Sequence, residues 1–224
     1  FHNAPILCSA SRRASNPGPG IAENQRGLTV DKNRMEAFSD GVIAVIITII
    51  VLEMKVPHGP EFASLMPLLP VFLTYVLSFL YVGIYWNNHH HMLKLTASVN
   101  GGVLRANLHL LFWLSLLPFT TGWMGENHFQ RWPTVLYGFN LLLCAMAYTV
   151  LQTCLIRHDG DDSLLAKAVS RDFKGKASLV LYASGIVTAW MLSAWVGMLF
   201  FVVVALMWLV PDRRIERIVS RHPG

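Results

Sequence analysis

Long apolar runs alternate with short polar, basic connectors along most of this chain. Runs of about 18 or more apolar residues are long enough to cross a bilayer as helices. Six fit, over roughly 35–55, 63–91, 103–124, 132–156, 176–193 and 195–211. The last two are separated by little more than "SAW". Read as one helix from 176 to 211, they would extend about 54 Å, far beyond a bilayer, so a tight hairpin is expected. The fold expected is all-α: a polytopic membrane protein with six transmembrane helices. The organisation expected is a disordered tail over 1–33, a six-helix domain over 34–212 and a basic tail over 213–224. In the loop "RHDGDDSLLAKAVSRDFKGK", Asp162 or Ser163 can cap a short helix whose apolar strip is Leu164, Leu165, Ala168 and Val169.

Composition supports the membrane reading. Of the 224 residues 54% are hydrophobic and 14% charged, with a mean hydropathy of +0.45; soluble domains carry about 25% charge. The net charge of +5 would suit nucleic acid in a soluble protein, but here the basic residues sit between apolar runs, so no nucleic-acid partner is expected. With both termini in the cytoplasm, the inside segments hold 16 of the 18 Lys and Arg residues, leaving only Lys55 and Arg131 outside. That is the positive-inside pattern for six spans. Within the first 33 residues the stretch "ASRRASNPGPGIAENQRG" is rich in Pro, Gly, Ser and Arg, a composition that does not pack. Three cysteines with no CxxC spacing give neither a disulfide framework nor a zinc motif.

The first span, "RMEAFSDGVIAVIITIIVLEMKVP", carries Arg34, Glu36, Ser39 and Asp40 where its apolar run begins. An intramembrane carboxylate costs about 2.5–3.5 kcal/mol on insertion scales and needs partners. At 100° per residue, Gly41, Val45, Thr48 and Leu52 form one narrow stripe with Ile49 at its edge, while Ile43, Ile47 and Ile50 point elsewhere. The stripe is either a packing face, with Thr48 bonded back to a carbonyl, or the wall of a narrow pore. Asp40 lies about 7–8 Å inside the helix, level with the end of the second span, "YVGIYWNNHHHML", and the start of the third, with Arg105, Asn107 and His109. Ser39, Trp86, Asn87, His89 and Asn107 can all hydrogen-bond there, so a fixed polar brace is expected, including His90. Three adjacent histidines point in three directions on a helix. Metal or haem binding across His89 and His109 is therefore disfavoured, and no cofactor or enzyme activity is expected.

The pattern R-x-x-x-F-S-D, made here by Arg34, Phe38, Ser39 and Asp40, resembles the signature of the transmembrane-protein-175 family of potassium channels. The likeness extends through "FSDGVIAVIITIIVLEMKVP" and, more loosely, to the six-span layout and the Trp-Asn-His end of the second span. It implies a single-repeat prokaryotic member: a passive potassium-permeable channel in the cell membrane, without a carbonyl selectivity filter, assembled as a homotetramer. It also implies that the first helix lines the pore, with an apolar constriction at Val45, where the family often has Ile, then Ile49 and Leu52, and a polar ring at Thr48. The motif would brace helices rather than touch ions. A proton-coupled secondary transporter using Asp40 is the alternative; it would call for broken helices near the midplane, whereas Pro67, Pro70 and Pro118 lie toward span ends.

Overall fold

Backbone in an apolar surrounding has to pair its own N–H and C=O groups, and a helix does so within one segment. In this computed structural model, which describes residues 32–169 and 173–209, the apolar runs are all helical. They form α1 (Lys32–Leu52), a 3-10 turn over Phe62–Leu68, α2 (Leu69–Lys94), α3 (Gly101–Ser115), α4 (Leu117–Glu126), α5 (Arg131–Asp159), α6 (Leu164–Val169), α7 (Phe173–Met191) and α8 (Ala194–Leu209). Pro70 opens α2 in its first turn, where its missing N–H has no helical partner to lose. Asn100 caps α3, its side chain accepting from the Val103 N–H at 3.0 Å. Ser163 is the residue that caps α6, accepting from the Ala166 N–H at 3.2 Å.

Four helical stretches are long and apolar enough to cross a membrane: 32–52, 62–94, 101–126 and 131–159. The last pair differs from them. α7 has 19 residues with Lys174 and Lys176 in its first turn, and α8 has 16. They do form the expected hairpin, turning at Leu192 and Ser193. Trp208 Nε1 donates to Ser178 Oγ at 2.8 Å, while Gly197 lies against Gly185 and Ala189, so the two run antiparallel. A Cβ at Gly197 would stand 2.5 Å from that of Ala189; this close approach needs glycine, as small-residue helix interfaces in membranes do.

The third stretch is not one helix. It breaks at Leu116, between α3 and α4, because Pro118 has no N–H for the carbonyl four residues back. Thr120 covers the break, its hydroxyl lying 3.3 Å from the Leu116 oxygen and 3.2 Å from that of Leu117. Nearby, Ser78 Oγ is 2.7 Å from Thr121 Oγ1 and 3.0 Å from Tyr137 Oη, tying α2, α4 and α5 through buried hydroxyls. Tyr81, Tyr137 and Phe201 are the largest side chains sealed in this core. Cys144 is free and buried. Lys32 and Asn33, assigned to the tail by composition, are the first residues of α1; the rest of 1–33, and all of 213–224, lie outside the described residues.

Candidate functional site: two faces of the first helix

α1 packs on α2, α3 and α4. The face it turns to them carries Met35, Ser39, Ile43, Ile46 and Ile50, all buried. Polar contacts gather at its first three turns, and their spacing is helical on both sides. Lys32 Nζ donates to the Thr96 carbonyl at 2.7 Å, beyond the end of α2. One turn on, His90 Nδ1 donates to Glu36 Oε1 at 3.0 Å. One turn further, Trp86 Nε1 donates to Asp40 Oδ1 at 3.0 Å. Steps of four on α1 therefore meet steps of four or six running the other way, a ladder between antiparallel helices. Trp86 and His90 stack with their rings 15° apart, which sets the spacing of the two upper rungs.

A second connection runs through α3. His89 Nε2 donates to Asn107 Oδ1 at 2.8 Å, Asn107 Nδ2 donates to Ser39 Oγ at 2.8 Å, and the Ser39 hydroxyl donates to the Met35 carbonyl at 2.8 Å. Each donor in this chain has a carbonyl or hydroxyl acceptor, so its direction is fixed. All three side chains are buried. Asn107 is the joint: it bonds to both the second helix and the first.

The opposite face of α1 is exposed among the described residues. Phe38, Val45, Ile49 and Leu52 are 54, 55, 40 and 78% exposed, and Gly41, Ala44 and Thr48 are exposed with them. A Cβ at Gly41 would meet nothing within 4 Å. Thr48 donates its hydroxyl to the Val45 carbonyl at 2.8 Å, leaving oxygen lone pairs and a methyl outward. Past the far end, Lys55 and Glu126 form an ion pair at 2.5 Å. The hydrogen bond and charge of Glu126 raise the Lys55 pKa.

The structure thus separates residues that sequence reasoning had grouped as one brace around Asp40. Asp40 receives Trp86; His89 serves Asn107 and Ser39; His90 serves Glu36. Arg34, Phe38 and Asn87 are exposed, with Phe38 continuous with the Val45 stripe. Two rungs went unread, Lys32–Thr96 and Glu36–His90. The second was legible, because Glu36 and Asp40 are four apart, as are Trp86 and His90. His109 is held by Trp113, whose Nε1 donates to its Nε2 at 2.9 Å, so His89 and His109 are each engaged with a different neighbour. Among the described residues no group of three or more His, Cys, Asp or Glu is placed to hold a metal.

Residues 34–118 match the family model described as TMEM175, endosomal/lysosomal potassium channel. A potassium channel of Chryseobacterium sp. (strain P1-3) is 52% identical over 191 residues, covering 85% of this chain and 99% of that protein. A potassium channel of Streptomyces collinus is 32% identical over 135 residues, covering 57% of this chain and 66% of that one. The fold matches the crystal structure of a lysosomal potassium-selective channel TMEM175 homolog from Chamaesiphon minutus. The TM-score is 0.71 at 27% identity, over 82% of this chain and 97% of that one.

Proposed function

Because the chain belongs to the TMEM175 family, we propose that it is a potassium-permeable cation channel of the prokaryotic cell membrane. In this reading it is a homotetramer of six-span subunits with both termini cytoplasmic, and four copies of α1 surround a central pore. The observation that carries the reading is the uncovered face of α1. A helix fixed on one side by buried isoleucines and hydrogen bonds holds out Val45, Thr48, Ile49 and Leu52 as an exposed stripe among the described residues.

Two further features support six spans. Trp132 and Trp190 meet edge to face at 4.7 Å, which sets the α7–α8 turn beside the start of α5. At its other end the hairpin reaches Thr149 of α5, with Ser178 and Trp208 facing the same cavity. From Trp132 to Thr149 is about 26 Å of helix, close to the hydrocarbon thickness of about 30 Å. The hairpin thus keeps pace with α5 despite the shortness of α8. The basic residues also gather on one side in this topology.

The pore wall holds no ring of backbone carbonyls and no charged side chain along the stripe. Permeation then depends on how readily an ion sheds water in a narrow apolar neck, where constrictions gate by dewetting. The cost is least for the larger, weakly hydrated alkali cations, so potassium passes more readily than sodium, with modest discrimination. Valine in place of isoleucine at the constriction removes one methylene from each of four chains and widens the neck. The clasps at Ser39, Asp40 and Glu36 hold the helix rather than the ion, and no cofactor is required. A transporter would use a broken helix near the midplane, and among the described residues the span from Gly101 to Glu126 breaks at Leu116, about 22 Å along a length of about 38 Å and so near its middle; the relatives named as potassium channels favour the channel reading all the same.

The direct test is flux from potassium-loaded liposomes holding the purified protein. Potassium efflux that dissipates passively, with slower sodium flux, is expected. Absence of any flux, or saturable flux driven only by a proton gradient, rejects the channel reading.

A further inference from the structure

Lys55 and Arg131 are the two basic residues on the outer side of the six-span topology. Lys55 is paired with Glu126. Arg131 is exposed, and among the described residues it has no carboxylate within ion-pair reach and no side-chain hydrogen bond. What holds it is a ring. Its guanidinium carbon stands 5.7 Å from the centre of Trp190, and Trp132 braces Trp190 edge to face at 4.7 Å. Stacking uses the flat face of the guanidinium and leaves the N–H donors on its edge open.

The surroundings are those of a membrane interface. Trp132, Trp190 and Trp195 are all exposed, as are Met191 and Leu192 at the turn of the hairpin. Trp195 rests on Phe129, their ring centres 4.6 Å apart. Three of the chain's seven tryptophans thus gather at one tip. A second cation over a ring, Lys174 at 5.8 Å from the centre of Trp208, sits at the opposite end of the hairpin. From Lys174 to Trp190, α7 rises about 24 Å. The two pairs therefore stand near the two faces of the hydrocarbon layer, the level at which tryptophan concentrates. α1 packs on α2, α3 and α4, whereas the hairpin packs on α2 and α5, so the tip is set apart from the uncovered face of α1.

We propose that this tip binds the headgroup of an anionic phospholipid, with the phosphate on the open edge of the Arg131 guanidinium and the upper part of the acyl chain along the exposed Trp132 ring. The inference rests on the six-span reading, which sets Arg131 at a membrane face. The planar fork matches two phosphate oxygens, and the phosphate is the counter-charge that no described residue supplies. An anionic headgroup is preferred to a zwitterionic one, because the ammonium of the latter offsets the phosphate charge beside the same arginine.

The test uses the full-length protein, labelled with fluorotryptophan, in nanodiscs. Fluorine NMR follows it as phosphatidylglycerol replaces phosphatidylcholine in both leaflets, so the direction of insertion does not matter. The Trp132 and Trp190 resonances, identified by their loss in Trp132→Phe and Trp190→Phe, are expected to shift saturably with phosphatidylglycerol. Arg131→Gln weakens that response about 5-fold. Arg131→Lys keeps part of it, since the charge remains and the fork is lost. The Trp208 resonance responds alike in all three proteins, which shows that the variants are folded. Trp132 and Trp190 resonances that ignore the lipid, or that follow it equally in Arg131→Gln, would overturn the proposal. So would loss of the oligomer in Arg131→Gln, which would assign the arginine to a second copy of the chain. A spin-labelled phosphatidylcholine that broadens neither resonance would overturn it by another route, rejecting the six-span reading itself. No flux is measured, so the other failures leave the channel reading standing.

Discussion

The two faces of α1 differ in what their side chains are committed to. On the inner face, Ile43, Ile46 and Ile50 are sealed and the polar groups below them are bonded into α2 and α3. On the outer face, residues of similar size and polarity stay exposed among the described residues. Both faces are apolar, so hydrophobicity does not tell them apart. What does is the polar ladder at the helix start, which fixes the rotation and thereby decides which apolar stripe is left over. The carboxylates act as a clamp, and the clamp defines the uncovered wall.

The comparison is broken most severely by large side chains. Val45→Trp is expected to reduce potassium flux more than about 10-fold while the melting temperature and oligomer stay as in wild type. Ile43→Trp overpacks the sealed face, where insertion of extra volume costs about 1–3 kcal/mol or more, so it lowers the melting temperature itself. Equal effects of the two on stability would mean that the faces are not distinct.

Asn107→Leu comes next. It removes the joint between α1 and α2 and strands His89 and Ser39, and a loss of about 1–3 kcal/mol is expected in a melt in detergent. Potassium over sodium preference in the folded fraction should stay unchanged. Trp86→Phe removes one hydrogen bond from a half-exposed ring, for a loss of about 1 kcal/mol or less. Asp40→Asn keeps an acceptor for Trp86, so it weakens assembly slightly and leaves selectivity alone. A normally assembled Asp40 variant with altered selectivity would return that carboxylate to the ion path. The smallest effect belongs to Lys55→Ala, whose exposed ion pair with Glu126 should leave the melt unchanged within error. Its sign with pH is fixed: Glu126 raises the Lys55 pKa, so any contribution is present at neutral pH and fades as pH rises past the ordinary lysine range.

Much of this was legible from residue spacing. The stripe of Val45, Thr48 and Leu52 follows from helical geometry, and the structure leaves that stripe uncovered. The hairpin at Ser193 follows from a length no bilayer accommodates. The individual partners did not follow, because level within the membrane says which groups are near one another and not which way each points. Asp40 had five candidate donors and took one, since the rotation of α2 directs Trp86 and His90 to α1 while His89 faces α3. The break at Leu116 was hidden because Pro118 sits inside an unbroken apolar run. Lys32 was read with its neighbours, whose composition is that of a tail, although its own side chain reaches Thr96.

The central claim is that the uncovered face of α1 is the wall of the conduction path. Single cysteines at Val45, Ile49 and Leu52, and at the outward-facing Val180 of α7, test it by block of potassium flux with a charged, water-soluble thiol reagent, read against the unsubstituted protein. Block at the three α1 positions, with none at Val180, is the predicted result. Reagent-insensitive flux at Val45, Ile49 and Leu52 alike would contradict the account and place that face against lipid.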